Sequence, residues 1–309
     1  MTHAPRRFGR ARRLSLARRV SEIALDATFA GGWAARLSHR LRLDGRLVVS
    51  EDAVTMPRWR GDTPLRVAFA SDFHAGPTTD ARQFEAACQA IEQARPDLIL
   101  FGGDFVQGHC RHVEPLARRL AALAAPLGKF AVLGNHDLYA DDAYVVDQIE
   151  RAGIHVLVNE SARLPAPYDG LVLCGMDDPV EGHMNAAAAL GDVEDGGARL
   201  IMMHAPEGFL RMPQVAFDLA LCGHTHGGQV ALPNGFPLRM PGPWINRRYS
   251  RGRFELRGGA TLIVSRGIGC SMLPIRLFAP PEVHVLTLEP GLRVPASGRS
   301  ASFVSEGAS

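Results

Sequence analysis

Short apolar runs, each cut off by a small or charged residue, recur from about residue 61 onward. They alternate with stretches in which apolar residues return every three or four positions. The first run covers residues 65–70 and stops at Ser71-Asp72; the next covers 98–101 and stops at Gly102-Gly103-Asp104. A third, 130–133, stops at Gly134-Asn135-His136-Asp137, and further strand-like runs cover 156–158, 171–174, 200–203, 219–222, 261–265 and 283–288. Helical spacing is predicted over 79–94, closed by Pro96, and over 114–124. Buried strands alternating with helices predict an α/β layered fold with helices outside a sheet. No internal repeat is visible.

The N-terminal part has a different pattern. Leu16, Val20, Ile23 and Ala27, then Trp33, Leu37 and Leu41, recur at helical spacing, with Gly31-Gly32 as a break between two helices. Arg18, Arg19, Arg36, Arg40 and Arg42 lie among them. Such a basic amphipathic segment suits an anionic membrane surface; the alternative is a helix pair packed on the domain with its arginines solvated. The chain therefore divides into a basic, partly helical arm (1–60), a body (61–290) and a Ser/Gly/Ala-rich tail (291–309) expected to be disordered, as are residues 1–13.

Charge sharpens that division. The chain of 309 residues has a net charge of +2, yet residues 1–60 hold thirteen arginines against five acids, which leaves the body acidic. A basic arm on an acidic body is not the footprint of a nucleic-acid binder. No stretch reaches the roughly 20 apolar residues of a membrane span. Arg6-Arg7 lacks the apolar region that should follow a twin-arginine signal. The five cysteines are odd in number and dispersed, as expected of buried thiols in a reducing compartment. The expected location is cytoplasmic, peripheral on the inner membrane surface.

The chemistry-bearing residues stand just after the predicted strands, where α/β folds place their sites. Asp72 and His74 follow the first run and Asp104 the second; Asn135, His136 and Asp137 follow the third. His204 follows 200–203, and His224 and His226 follow 219–222. Carboxylate, imidazole and amide oxygen without thiolate suit Mn²⁺, Fe²⁺ or Zn²⁺. Seven such residues are too many for one ion and fit two, if one carboxylate bridges. Gly103, Gly134 and Gly223 would let the backbone turn sharply and approach the ions.

This ordered set (Asp-x-His, Gly-Asp, Gly-Asn-His-Asp, a lone His, Gly-His-x-His) resembles the calcineurin-like metallophosphoesterases over residues 65–288. It looks like their bacterial, membrane-associated phosphodiesterase branch. Residues 131–137, 222–229, 264–269, 274–277 and 280–282 carry that closer likeness. The resemblance implies a four-layer α/β/β/α sandwich and a binuclear centre. The first metal would take Asp72, His74 and His226; the second, Asn135, His204 and His224; Asp104 would bridge. His136 resembles the histidine that contacts phosphate and protonates the leaving oxygen, with Asp137 orienting it. Two departures stand out. The branch's membrane segment is replaced by the Arg-rich arm, and Gln107-Gly108-His109 occupies a stretch where an acid is common.

The activity these readings imply is metal-dependent hydrolysis of a phosphodiester or pyrophosphate linkage on a lipid or nucleotide-sugar, of the UDP-diacylglucosamine type. Arg239, Arg247, Arg248, Arg251 and Arg253, among Phe236, Trp244 and Tyr249, suit a phosphate-bearing amphiphile; they equally suit a solvated loop. The alternatives are a soluble phosphodiesterase or phosphomonoesterase acting on small nucleotides, and an inactive metal-binding scaffold.

Overall fold

The computed structural model describes residues 16–191, 197–213 and 215–291. The expectations for residues 1–13 and, Gly291 apart, for the tail lie outside them.

Two six-stranded sheets face each other. The first has the order β1 (Val48–Met56), β12 (Glu282–Pro290), β2 (Leu65–Ala70), β3 (Leu98–Phe101), β4 (Lys129–Ala131), β5 (Ile154–Val156). The second runs β10 (Gly252–Glu255), β11 (Thr261–Val264), β9 (Leu219–Cys222), β8 (Ala198–Met202), β7 (Leu171–Gly175), β6 (Glu160–Arg163). Strands β2 to β5 are mutually parallel, as are β11, β9, β8 and β7. Each parallel block thus sends its strand ends, and the loops that follow them, to one edge.

Alternation along the strands builds three cores. Leu65, Val67 and Phe69 of β2 meet Leu200, Met202 and Leu221 of the second sheet between the layers. The intervening Ala68 and Ala70 face the other way, onto α3 (Ala81–Ala94), α4 (Val113–Ala121) and α6 (Asp142–Arg151). Val172, Cys174 and Ile201 form the third core against α7 (Ala186–Leu190). The result is the expected four-layer α/β/β/α sandwich.

Strands β2, β3 and β9 occupy the residues their apolar runs predict. Three expectations are shifted, the 200–203 run to Ala198–Met202 among them. The 130–133 strand is Lys129–Ala131, with the Val132 amide still donating to the Phe101 carbonyl (3.0 Å) beyond its end, and the 156–158 strand is Ile154–Val156. β1, which lies within residues 1–60 and has no counterpart in the sequence reading, pairs in parallel with β12 along nine residues.

The arm's two helices form as expected, α1 (Leu16–Thr28) and α2 (Trp33–Leu41), with Gly31 and Gly32 both in the left-handed region between them. The described part of their apolar stripe, however, faces outward. Ala34, Ala35 and Ser38 turn inward, while Val20, Ile23, Trp33, Leu37 and Leu41 are exposed. No helix among the described residues is long and apolar enough to cross a membrane. All five cysteines are free.

Candidate metal centre

The strand ends of both sheets converge. Loops after β2, β3 and β4 supply Asp72, His74, Asp104 and Asn135; loops after β8 and β9 supply His204, His224 and His226. Backbone bonds lock these loops to one another: the Asp72 amide donates to the Gly103 carbonyl (2.8 Å), the Gly223 amide to the His204 carbonyl (2.8 Å), and the Ile268 amide to the Ser71 carbonyl (3.0 Å). A further bond between the two halves runs from His204 Nδ1 to the Gly102 carbonyl at 2.8 Å. It fixes the ring so that Nε2 points into the centre.

The spacing is that of lone pairs aimed at common points. His74 Nε2 lies 2.9 Å from His226 Nε2 and 3.4 Å from Asp104 Oδ2. His226 Nε2 lies 3.4 Å from Asp72 Oδ1. On the other side His204 Nε2 lies 3.2 Å from Asp104 Oδ2 and 3.3 Å from His224 Nδ1. Ligand atoms about 2.1 Å from a shared cation stand roughly 3 Å from each other. Three groups of donors come within 4.8 Å: Asp72-His74-His226, His74-Asp104-His136 and Asp104-His204-His224. Asp104 is common to the last two, which is the position a bridging carboxylate needs.

Five of these residues have left-handed backbones: Asp72 (φ 54°), His74 (45°), Asp104 (54°), His224 (69°) and His226 (52°). Each such non-glycine residue costs on the order of 1–3 kcal/mol and persists only where the surroundings impose it. The glycines explain how the loops come so close. A Cβ on Gly134 would fall 2.2 Å from Asp104 Oδ1, and one on Gly223 would fall 2.3 Å from Asp72 Oδ2.

The electrostatics suit cations. Burial depresses the pKa values of His74 and His226 and takes that of His224 down to about 3, so these imidazoles are neutral donors. Burial also opposes a charge on His204, but Asp104 beside it outweighs this and raises its pKa. Asp72, buried, is pushed up to about 6. Burial acts the same way on Asp104, yet the fields of His204 and His136 prevail and hold it well below the carboxylate range. Asn135 Oδ1 is buried without a hydrogen-bond partner. An unpaired buried amide oxygen is costly, and a metal ion is the partner it suits. The donor set therefore fits divalent cations held by nitrogen and oxygen.

His136 sits at the first turn of α5 (Asn135–Ala140), its ring 4.7 Å from that of His74 and nearly perpendicular to it. Its orientation differs from the expected one. The Asp137 carboxylate holds backbone rather than the ring, accepting from the amides of Phe105 (2.8 Å), Val106 (3.2 Å) and Gly134 (3.0 Å). The ring is instead held by the Gln107 carbonyl, to which Nδ1 donates. Asp137 thus orders the loop that holds His136. His109, two residues on, is exposed.

Two contributors escape the sequence reading. Asp178, after β7, is fully buried near His204, and burial lifts its pKa to about 7; its place after a strand, in Asp177-Asp178, is the signal that could reveal it. Arg276, also buried, donates to His226 Nδ1 at 2.9 Å. It comes from a loop distant in sequence; the likeness over residues 274–277 includes it but gives it no role at the centre.

Comparison with known proteins agrees with this geometry. The calcineurin-like phosphoesterase family model matches residues 65–228. An uncharacterized metallophosphoesterase of Aquifex aeolicus is 32% identical over 234 residues, covering 74% of this chain and 86% of the relative. Phosphodiesterase YaeI of Escherichia coli is 32% identical over 231 residues (73% and 82%). The uncharacterized metallophosphoesterase YkuE of Bacillus subtilis is 30% identical over 232 residues (73% and 79%).

Proposed function

The chain belongs to the calcineurin-like phosphoesterase family and is a metal-dependent phosphoesterase; from that premise we propose that it uses two divalent cations to hydrolyse a phosphodiester or pyrophosphate linkage on a lipid or nucleotide-sugar, of the UDP-diacylglucosamine type. The observation that carries the binuclear reading is the place of Asp104, whose Oδ2 lies within 3.4 Å of imidazoles from both ligand groups. Asp72, His74 and His226 would hold one ion and Asn135, His204 and His224 the other, with Asp104 between them. Mn²⁺, Fe²⁺ and Zn²⁺ all suit these donors. When bound, such ions neutralise phosphoryl oxygens and make water available as a nucleophile near neutral pH.

The protein's own share of the reaction centres on His136. With Nδ1 anchored on the Gln107 carbonyl, Nε2 is free to carry the proton that the leaving oxygen takes up. No serine or cysteine is needed as a covalent nucleophile. Outside the centre, Arg247 stacks over Phe236, 5.4 Å from ring centre, and Arg248 over Tyr249 at 5.5 Å. Arginine on an aromatic face supports a substrate that pairs phosphate with apolar chain. The outward apolar stripe of α1 and α2 supports peripheral contact of the arm with an anionic membrane surface, on the inner face of the membrane.

Side-by-side turnover of a UDP-linked diacyl lipid, a small cyclic nucleotide and a generic aryl phosphomonoester tests the substrate class. Preferred cleavage of the lipid is the expected result. Faster turnover of the nucleotide or the monoester would replace this reading with that of an enzyme acting on small water-borne substrates.

A further inference from the structure

The outward apolar stripe is not confined to the arm. Two loops beside the metal centre, 229–249 (with one helical turn at Trp244–Arg248) and 271–278, also expose large apolar side chains. Phe236 is 51% exposed, Trp244 66% and Phe278 58%, comparable with Trp33 at 52% in α2. Folded chains do not usually leave several such residues together in water without a partner.

The three segments are fastened together and to the centre. The Ala231 amide donates to the Leu277 carbonyl (2.9 Å) and the Leu277 amide to the Gln229 carbonyl (2.9 Å), which joins the two loops. The Gln229 side chain donates to the Leu273 carbonyl at 2.9 Å. The Arg276 amide donates to the Leu43 carbonyl (2.6 Å), which ties the turn after α2 to the same loop. The Arg276 guanidinium reaches inward to His226. The apolar residues therefore border the metal centre rather than lying elsewhere on the surface.

The charge carried by these segments has one sign, the half-buried Glu207 that accepts from Asn246 coming from outside them. Residues 27–43 contain no acid, and neither do residues 219–254 nor 256–281. Arg36, Arg40, Arg239, Arg247 and Arg248 are exposed along these segments. Elsewhere the body is acidic overall.

We infer that α2 and the loops 229–249 and 271–278 form one docking face for an anionic lipid bilayer, so that the metal centre opens toward the headgroups. Large apolar side chains would enter the interface while the arginines meet lipid phosphates. The inference deepens the lipid-substrate reading and rests on it for its purpose, but its test requires no turnover.

The three tryptophans report on it separately. Trp59 is fully buried and silent; Trp33 marks the arm and Trp244 the loops. The full chain and its Trp33→Phe and Trp244→Phe variants are mixed with phosphatidylglycerol or phosphatidylcholine vesicles, and sedimentation and emission are recorded. The expected result is co-sedimentation with phosphatidylglycerol at low salt and release near 1 M salt, where the screening length falls to about 3 Å. Blue shifts should survive in both variants, one from Trp244 and the other from Trp33. The inference is overturned if the protein stays in solution with phosphatidylglycerol at low salt, or if the Trp33→Phe variant shows no shift. It is also overturned if light scattering shows a dimer in which Trp244 is already shielded without vesicles, since the face would then belong to a second copy. A chain that docks yet cleaves no lipid-linked substrate would defeat the substrate reading and leave the docking face standing.

Discussion

The backbone amide of His136 donates to Asp104 Oδ1 at 2.8 Å, so the carboxylate between the two ligand groups also fixes the residue assigned to proton transfer. Its other oxygen lies 3.2 Å from His204 and 3.4 Å from His74. Asp104→Asn should therefore lower the affinity of both ions rather than one, and shift His136 as well. Loss of a single ion, with the other bound at unchanged affinity, would show that Asp104 serves only one site.

His136→Ala should keep the metals and lose turnover by about 10²–10⁴-fold, the usual contribution of a positioned acid. The loss should shrink for esters with good leaving groups such as nitrophenol, which need less protonation on departure. An equal loss across leaving groups would remove His136 from the acid role. Asp137→Asn should also lower turnover, through the Phe105, Val106 and Gly134 amides that its carboxylate holds.

Glu282, first residue of β12, ties three parts of the fold together. It accepts from Ser50 of β1, from Arg266 at 2.8 and 2.9 Å, and lies 3.3 Å from His284. Burial alone would raise its pKa, but His284 and Arg266 depress it well below the ordinary value of 4.5. The depressed folded pKa means its stabilisation is complete above about pH 4.5 and fades as pH falls toward the folded value. Glu282→Gln should cost about 3–5 kcal/mol near neutral pH, as when a buried pair loses one partner. Urea unfolding at several pH values should show the gap between variant and parent narrowing below pH 4.5. A gap that widens on acidification would contradict the sign.

The sequence carries most of this centre because its ligands stand where apolar runs stop. Leu65–Ala70 and Leu219–Cys222 end at Ser71-Asp72 and Gly223-His224, so strand, turn and ligand are read in one pass. What stays hidden is hidden for physical reasons. β1 carries Glu51 and Asp52 on a half-exposed edge, and β6 and β10 are equally polar, so none presents an apolar run. The partner of His136 is a backbone carbonyl, which every residue has and no motif announces. Helical spacing in α2 identifies an apolar stripe but not which way it faces; Ala34, Ala35 and Ser38 decide that by fitting closely against the domain.

Metal stoichiometry tests the central claim most directly. The full chain is stripped with chelator and reconstituted with Mn²⁺. It is then freed of excess ion and assayed for metal per chain and for turnover of an aryl phosphodiester. The account predicts about two ions per chain, with activity returning as the second is bound. Full activity at one ion per chain, or no retained ion at all, would contradict it.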